Sequence, residues 1–91
     1  MFTVLYVDDD TALLDLARIF LEMSGKIRIE TAQSVGEAIS LIEHNQYDGI
    51  ISDYEMPQVD GIRFLRHVRQ HQRDLPFILF TGRSREEIAI E

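Results

Sequence analysis

The chain has no cysteine, no apolar run near the ~20 residues of a membrane span, and few basic residues. Without cysteine there are no disulfides and no thiolate metal sites, and the redox compartment stays open. No signal-peptide pattern precedes the first apolar segment, so we expect a cytoplasmic protein that does not enter a membrane. Nine basic against sixteen acidic residues give a net charge of −7. This balance disfavours direct binding to nucleic acid or to anionic membranes and suits a protein that holds a cation, although acids that only maintain solubility would give the same balance.

Ninety-one residues suffice for one domain, and no repeat or internal linker divides it. Short β-rich runs alternate with helical patterns, which predicts a three-layer α/β fold with a parallel sheet. The predicted strands are Thr3–Val7, Ile27–Thr31, Asp48–Ser52 and Pro76–Thr81. Helices are predicted from Thr11, Ser34 and Gly61, and a fourth is predicted to begin near Ser84 and to reach the end of the sequence. In the first helix, Leu13, Leu14, Ala17, Phe20 and Leu21 form the predicted buried face.

Acidic residues follow two of the predicted strands. Asp8 and Asp9 come after the first strand, and Asp53 comes after the third. If these strands are neighbours, three carboxylates converge at one edge of the sheet, where they must retain protons or bind a cation. Oxygen ligands without histidine or cysteine favour a hard ion, above all Mg²⁺. The alternative is that the acids cap helices and satisfy turns, and for Asp10 helix capping is the preferred interpretation.

The run Val7-Asp8-Asp9-Asp10, the pattern Asp-x-x-Met-Pro-x-x-Asp-Gly over 53–61, and Thr81-Gly82 occur in the order and spacing of one known family. The chain resembles the receiver domain of two-component response regulators. That resemblance implies a flavodoxin-like sheet and phosphorylation of Asp53 by a sensor histidine kinase or phosphotransfer protein. Such a domain accepts a phosphoryl group and signals with it, and is not a conventional enzyme. The implied site residues are Asp8, Asp9, Asp53 and the Glu55 backbone carbonyl for Mg²⁺, Thr81 as the switch hydroxyl, and Glu55 and Arg83 as modulators of phosphate lifetime.

The family also has a lysine at the end of a fifth strand and a nearby aromatic switch residue, and neither is present here. Lys26 is the only lysine, and we expect it at the opposite rim of the sheet. We therefore expect residues 1–91 to form a C-terminally incomplete receiver domain with strand order 2-1-3-4, lacking the fifth strand and last helix. The exposed edge of the fourth strand would then favour a homodimer.

Two other functional classes account for part of the sequence. A haloacid-dehalogenase-like phosphatase would use the Asp-x-Asp pair at positions 8 and 10, but that class does not explain Met56-Pro57 or Asp53. A pseudo-receiver that signals without phosphate would explain the absent lysine. An EF-hand is excluded because no glycine or late glutamate has the required spacing. His67 and His71 have the i, i+4 spacing of a metal-binding pair but no evident third ligand, so a solvated helix face is the preferred interpretation.

Overall fold

The computed structural model describes residues 1–53, 61–72, 74–80 and 88–90, and strands and helices alternate in it up to residue 80. The elements are β1 (Phe2–Val7), α1 (Thr11–Glu22), β2 (Ile27–Ala32), α2 (Val35–His44), β3 (Gly49–Asp53), α3 (Gly61–His71), β4 (Phe77–Phe80) and β5 (Ile88–Ile90). The first seven agree with the sequence prediction to within a residue or two.

The five strands of the described residues form one sheet, in the order β2-β1-β3-β4-β5. The pairs β1–β2, β1–β3 and β3–β4 are parallel, which confirms the predicted 2-1-3-4 order. The chain first adds β2 on one side of β1 and then returns to add β3 on the other. The order therefore reverses between β1 and β3, and open α/β sheets place their functional groups beyond the carboxyl ends of the strands at such a point.

The prediction of a helix from Ser84 to the end of the sequence is wrong for residues 88–90, and so is the expectation that the sheet has no fifth strand. Ile88–Ile90 forms β5, which pairs antiparallel with β4. Two of its three residues are β-branched isoleucines, which favour strands, and pairing satisfies backbone groups of β4 that would otherwise be unpaired. The edge of β4 is therefore occupied and does not support the predicted homodimer.

The larger core lies between the sheet and helices α2 and α3. Alternate strand residues point to that side, including Leu5, Val7, Ile50, Phe77 and Leu79, all of which are at most 1% exposed. Phe64 of α3 contacts Phe77 of β4 edge to face, with ring centroids 5.4 Å apart. This packing holds β1, β3 and β4 in fixed register beneath the rim that carries the acids.

Helix α1 packs on the other side of the sheet. Its Leu14 forms a second, smaller core cluster there with Tyr6 and Ile29 of the sheet. Leu13, Ala17 and Leu21 are half-buried, but Phe20 is 72% exposed, so its predicted burial is wrong. Leu16, Ile19 and Met23 are also exposed. The apolar arc of α1 is wider than its contact with the sheet, and helical periodicity does not show how much of such an arc is covered.

Side-chain caps begin the first two helices as predicted. The Asp10 carboxylate accepts a hydrogen bond from the Leu13 backbone N–H at 3.1 Å, and the Ser34 hydroxyl accepts one from the Glu37 N–H at 3.1 Å. Each bond satisfies a backbone donor that has no partner within its helix. The described residues contain no helix long and apolar enough to span a membrane.

Candidate functional site

Neighbouring strands deliver the acidic residues to one rim of the sheet. Val7 of β1 is in register with Ser52 of β3, so Asp8 and Asp53 come next on adjacent strands at their carboxyl ends. One carboxylate oxygen from each of Asp8, Asp9 and Asp53 lies within 4.8 Å of the other two. The structure thus brings together the three residues that the sequence reasoning placed at this rim.

The three acids differ in exposure. Asp8 is 2% exposed and Asp53 is 7% exposed, whereas Asp9 is exposed. Burial raises the pKa of Asp8 to about 6, against an ordinary value of 3.8. The hydrogen bond from the Asp10 N–H opposes this increase in pKa, while the negative charges of Asp53 and Asp9 add to it. Burial is the main cause of the raised pKa, and a cation between these carboxylates would offset the smaller contribution from their mutual repulsion.

Asp10 lies next to these acids in sequence but has a different role. Its side chain caps α1, and its backbone N–H donates to Asp8 Oδ1 at 2.9 Å. That bond orients the Asp8 carboxylate at the end of β1. A dehalogenase-like phosphatase would need Asp10 as the second carboxylate of its Asp-x-Asp pair. In this structure that carboxylate caps α1 instead.

Tyr6 is part of the electrostatic environment of the site, and the sequence reasoning treated it only as a strand residue. It is 7% exposed on β1, two residues before Asp8. Burial, followed by the charges of Asp8 and Asp53, raises its pKa to about 12, so the phenol stays neutral at physiological pH. The signal that could have identified it was a phenol two residues before the acids, in a mostly apolar strand.

The other predicted site residues are less fully described. Glu55, Thr81 and Arg83, like the Met56-Pro57 loop, lie outside the described residues, and their roles stay predictions. Lys26 immediately precedes β2 and is therefore at the amino ends of the strands, as expected, at the rim opposite the acids. It cannot take the place of the family's lysine beside Asp53.

Three carboxylates that converge in this way can hold one hard divalent cation. They supply only oxygen ligands, which suit Mg²⁺ or Ca²⁺ better than zinc or copper. Two ligands are buried and one is exposed, so an ion here would keep contact with water on its outer side. The fold and the site together define a flavodoxin-like α/β domain with an acidic, metal-competent site at its topological switch point.

Comparison with known proteins identifies the family. The family model described as the response regulator receiver domain matches residues 4–91. Response regulator Rre1 of Synechocystis is 36% identical over 84 residues, covering 90% of this chain and 36% of the relative. Response regulator SaeR of Staphylococcus aureus is 32% identical over 90 residues, covering 99% of this chain and 39% of the relative. The chain therefore spans little more than a third of these curated relatives.

Solved structures agree with the sequence matches. Chemotaxis response regulator CheY4 of Vibrio cholerae has a TM-score of 0.85 at 30% identity, with 92% of this chain and 71% of that chain covered. Response regulator TrrA of Thermotoga maritima, solved in complex with Mg²⁺-BeF, has a TM-score of 0.84 at 31% identity, with 92% and 72% covered. The chain belongs to the response regulator receiver domain family of two-component systems.

Proposed function

We propose that Asp53 is the phosphoacceptor of this receiver domain. The observation that carries the proposal is its position, as the last residue of β3, within 4.8 Å of Asp8 and Asp9 at the switch point. An Asp53 carboxylate oxygen attacks the phosphorus of a phosphohistidine on a sensor kinase or phosphotransfer protein. The phosphorus–nitrogen bond breaks, its electron pair stays with the imidazole, and an aspartyl phosphate forms.

The acidic cluster fits the Mg²⁺ that this chemistry needs. Asp8, Asp9 and Asp53 would hold the ion together with the expected backbone carbonyl of Glu55. When bound, Mg²⁺ supplies positive charge that offsets the charge on the transferring group. The negative charges of Asp53 and Asp9, which add to the effect of burial on the pKa of Asp8, support a cation at this position, because a bound cation would offset their repulsion. The complex of the relative TrrA with Mg²⁺-BeF agrees with this proposal.

Phosphorylation of the chain by acetyl phosphate and Mg²⁺ tests the assignment. Intact-mass spectrometry should show one added phosphoryl group per chain, and Asp53→Asn should abolish it. Asp9→Asn should raise the Mg²⁺ concentration needed for half-maximal labelling. Asp10→Asn is the matched control, because it removes a neighbouring charge but keeps an oxygen that can cap α1, and it should label normally. A label that persists in Asp53→Asn would refute the assignment.

We further propose that the domain acts as a stoichiometric acceptor and not as a turnover phosphatase. The helix-capping role of Asp10 supports this, because a dehalogenase-like mechanism would need that carboxylate free. Incubation with a generic phosphate ester checks it. Release of many equivalents of phosphate per chain would contradict the proposal, and Asp53→Asn would show whether such an activity belongs to the same site.

We also propose, from the family resemblance, that Thr81 is the switch hydroxyl and that Glu55 and Arg83 modulate the phosphate lifetime. Thr81→Ala should leave labelling intact and weaken the conformational response, because the hydroxyl would bind the phosphoryl oxygen only after transfer. Changes at Glu55 or Arg83 should alter the half-life of the aspartyl phosphate. The β4 edge that suggested a homodimer is occupied by β5, and sedimentation analysis distinguishes a homodimer from a single species of 10.6 kDa. The cytoplasmic location stays a prediction.

A further inference from the structure

Two histidines lie side by side at the end of α3 that is far from the acidic cluster. His67 and His71 are one turn apart, and their ring centroids are 4.7 Å from each other with the planes tilted by 35°. Both line a groove of about 270 Å³ between α2 and α3, with Ile39, Ile42, Glu43, Val68 and Gln72. The α3 helix begins near the rim that carries the acids and ends near the opposite rim, so the two sites are separate.

The hydrogen bonding of His71 leaves one ring nitrogen available. Its Nδ1 lies 3.0 Å from the carbonyl oxygen of His67. A carbonyl only accepts hydrogen bonds, so Nδ1 carries the proton and the neutral ring keeps its lone pair on Nε2. Metal-binding histidines are commonly oriented in this way, with one nitrogen bound to backbone and the other to the ion.

The spacing of the two rings matches that of a chelating pair. Zinc–nitrogen bonds are about 2.0–2.1 Å, so two imidazoles that share one tetrahedral ion have ring centroids about 5 Å apart. The observed separation of the centroids is 4.7 Å, which is compatible with both rings contacting one ion.

Two negative features near the histidine pair favour a cation, and the positive charge of Arg69 opposes it. His71 is the last residue of α3, where free carbonyl groups give the helix end a partial negative charge. The carboxylate of Glu43 lines the same groove. The nearby Arg69 directs a guanidinium nitrogen to the carbonyl oxygens of Gln72 and Leu75.

We propose that the α2–α3 groove binds a borderline-soft divalent metal ion, Zn²⁺ in the first instance, through the imidazoles of His67 and His71. Among the described residues, only the acidic cluster of Asp8, Asp9 and Asp53 brings three potential ligands within 4.8 Å of one another. In the α2–α3 groove the protein would therefore supply two ligands, and water would complete the coordination. Imidazole prefers zinc, nickel or copper to magnesium, so the histidine pair selects a different metal from the acidic cluster. Binding would fasten the last turn of α3.

Calorimetric titration with Zn²⁺ tests this proposal in a chain in which Asp9→Asn and Asp53→Asn have disabled the acidic cluster. One Zn²⁺ should bind, and His67→Gln or His71→Gln should each weaken binding by about tenfold or more, since one remaining imidazole cannot chelate. His44→Gln is the matched control. The Nδ1 of His44 lies 2.8 Å from the Ser40 carbonyl oxygen, the same i−4 arrangement, but no second histidine lies one turn away.

The NMR signals of the imidazole protons assign the ligands directly. Zn²⁺ should shift the His67 and His71 signals and leave those of His44 in place. The shifts should persist in excess Mg²⁺, because imidazole does not prefer that ion. Equal losses of affinity in His44→Gln and His71→Gln would overturn the proposal, as would unchanged affinity in both variants of the pair. The acidic cluster is disabled throughout, so failure here is distinct from failure of the phosphoacceptor assignment.

Discussion

Asp8→Asn should stabilise the metal-free domain while it impairs metal binding. The pKa of Asp8 is raised from 3.8 to about 6, roughly two units, which corresponds to about 3 kcal/mol of folding free energy. An acid with a raised folded-state pKa costs stability when it is ionised. The full cost applies above pH 6, declines between pH 6 and 3.8, and disappears below that range. Asparagine has no charge to bury, and its Oδ1 can still accept the hydrogen bond from the Asp10 N–H.

Urea denaturation in EDTA, followed by circular dichroism, measures this effect. Asp8→Asn should raise the free energy of unfolding by up to about 3 kcal/mol at pH 7.5 and by only about 1 kcal/mol at pH 4.5, where much of the cost in the unmodified chain has already gone. Asp10→Asn, which changes the net charge equally outside the cluster, should have little effect at either pH. Saturating Mg²⁺ should stabilise the unmodified chain more than the variant.

Equal stabilisation by Asp8→Asn and Asp10→Asn would refute this reasoning, because the gain would then reflect net charge alone. A gain from Asp8→Asn that is the same at pH 7.5 and 4.5 would also refute it. Such a gain could not come from the titration of a buried carboxyl group.

Three further predictions concern the structure that supports the site, and urea denaturation checks each. Tyr47→Phe should lower the free energy of unfolding by about 1 kcal/mol, because the buried Tyr47 hydroxyl donates a hydrogen bond to Glu30 Oε1 at 2.6 Å. Unchanged stability would mean that this hydrogen bond makes no net contribution. Ser34→Ala should cost about 1 kcal/mol by removing the cap of α2, and a neutral result would contradict that role. Gly25→Ala should destabilise the domain by about 1 kcal/mol, because the φ of Gly25 is +73°, which disfavours a residue with a Cβ. Gly36→Ala should stabilise it by about 0.5 kcal/mol, because Gly36 lies in α2 and alanine favours a helix. A change of the same sign in both variants would contradict the argument.

Local chemistry explains why much of the fold was predictable. Asp10 and Ser34 cap helices because their side-chain oxygens reach backbone donors three residues on, an interaction that depends only on nearby sequence. The alternation of strand and helix implied a parallel sheet, and in such a sheet residues that end neighbouring strands meet at one rim. The meeting of Asp8 and Asp53 could be predicted once β1 and β3 were taken as neighbours.

Local patterns were insufficient where the outcome depends on contacts between distant parts of the chain. The segment from Ser84 has helical character by sequence, yet Ile88–Ile90 is a strand because the edge of β4 offers backbone partners. Phe20 fits the apolar arc of α1, but only the sheet itself determines how much of that arc is buried. Likewise, the spacing of His67 and His71 was visible in the sequence, while the groove that they share with α2 was not.

The sequence of residues determined the identity and order of the chemical groups: which strands end in carboxylates, which residues cap helices, and which family the chain belongs to. Tertiary structure alone decided how those groups affect one another. Asp8, Asp9 and Asp53 have similar intrinsic acidity, yet packing leaves Asp9 exposed and nearly excludes water from Asp8 and Asp53. Burial and repulsion depend on three-dimensional distance and solvent access, which separation along the chain does not specify.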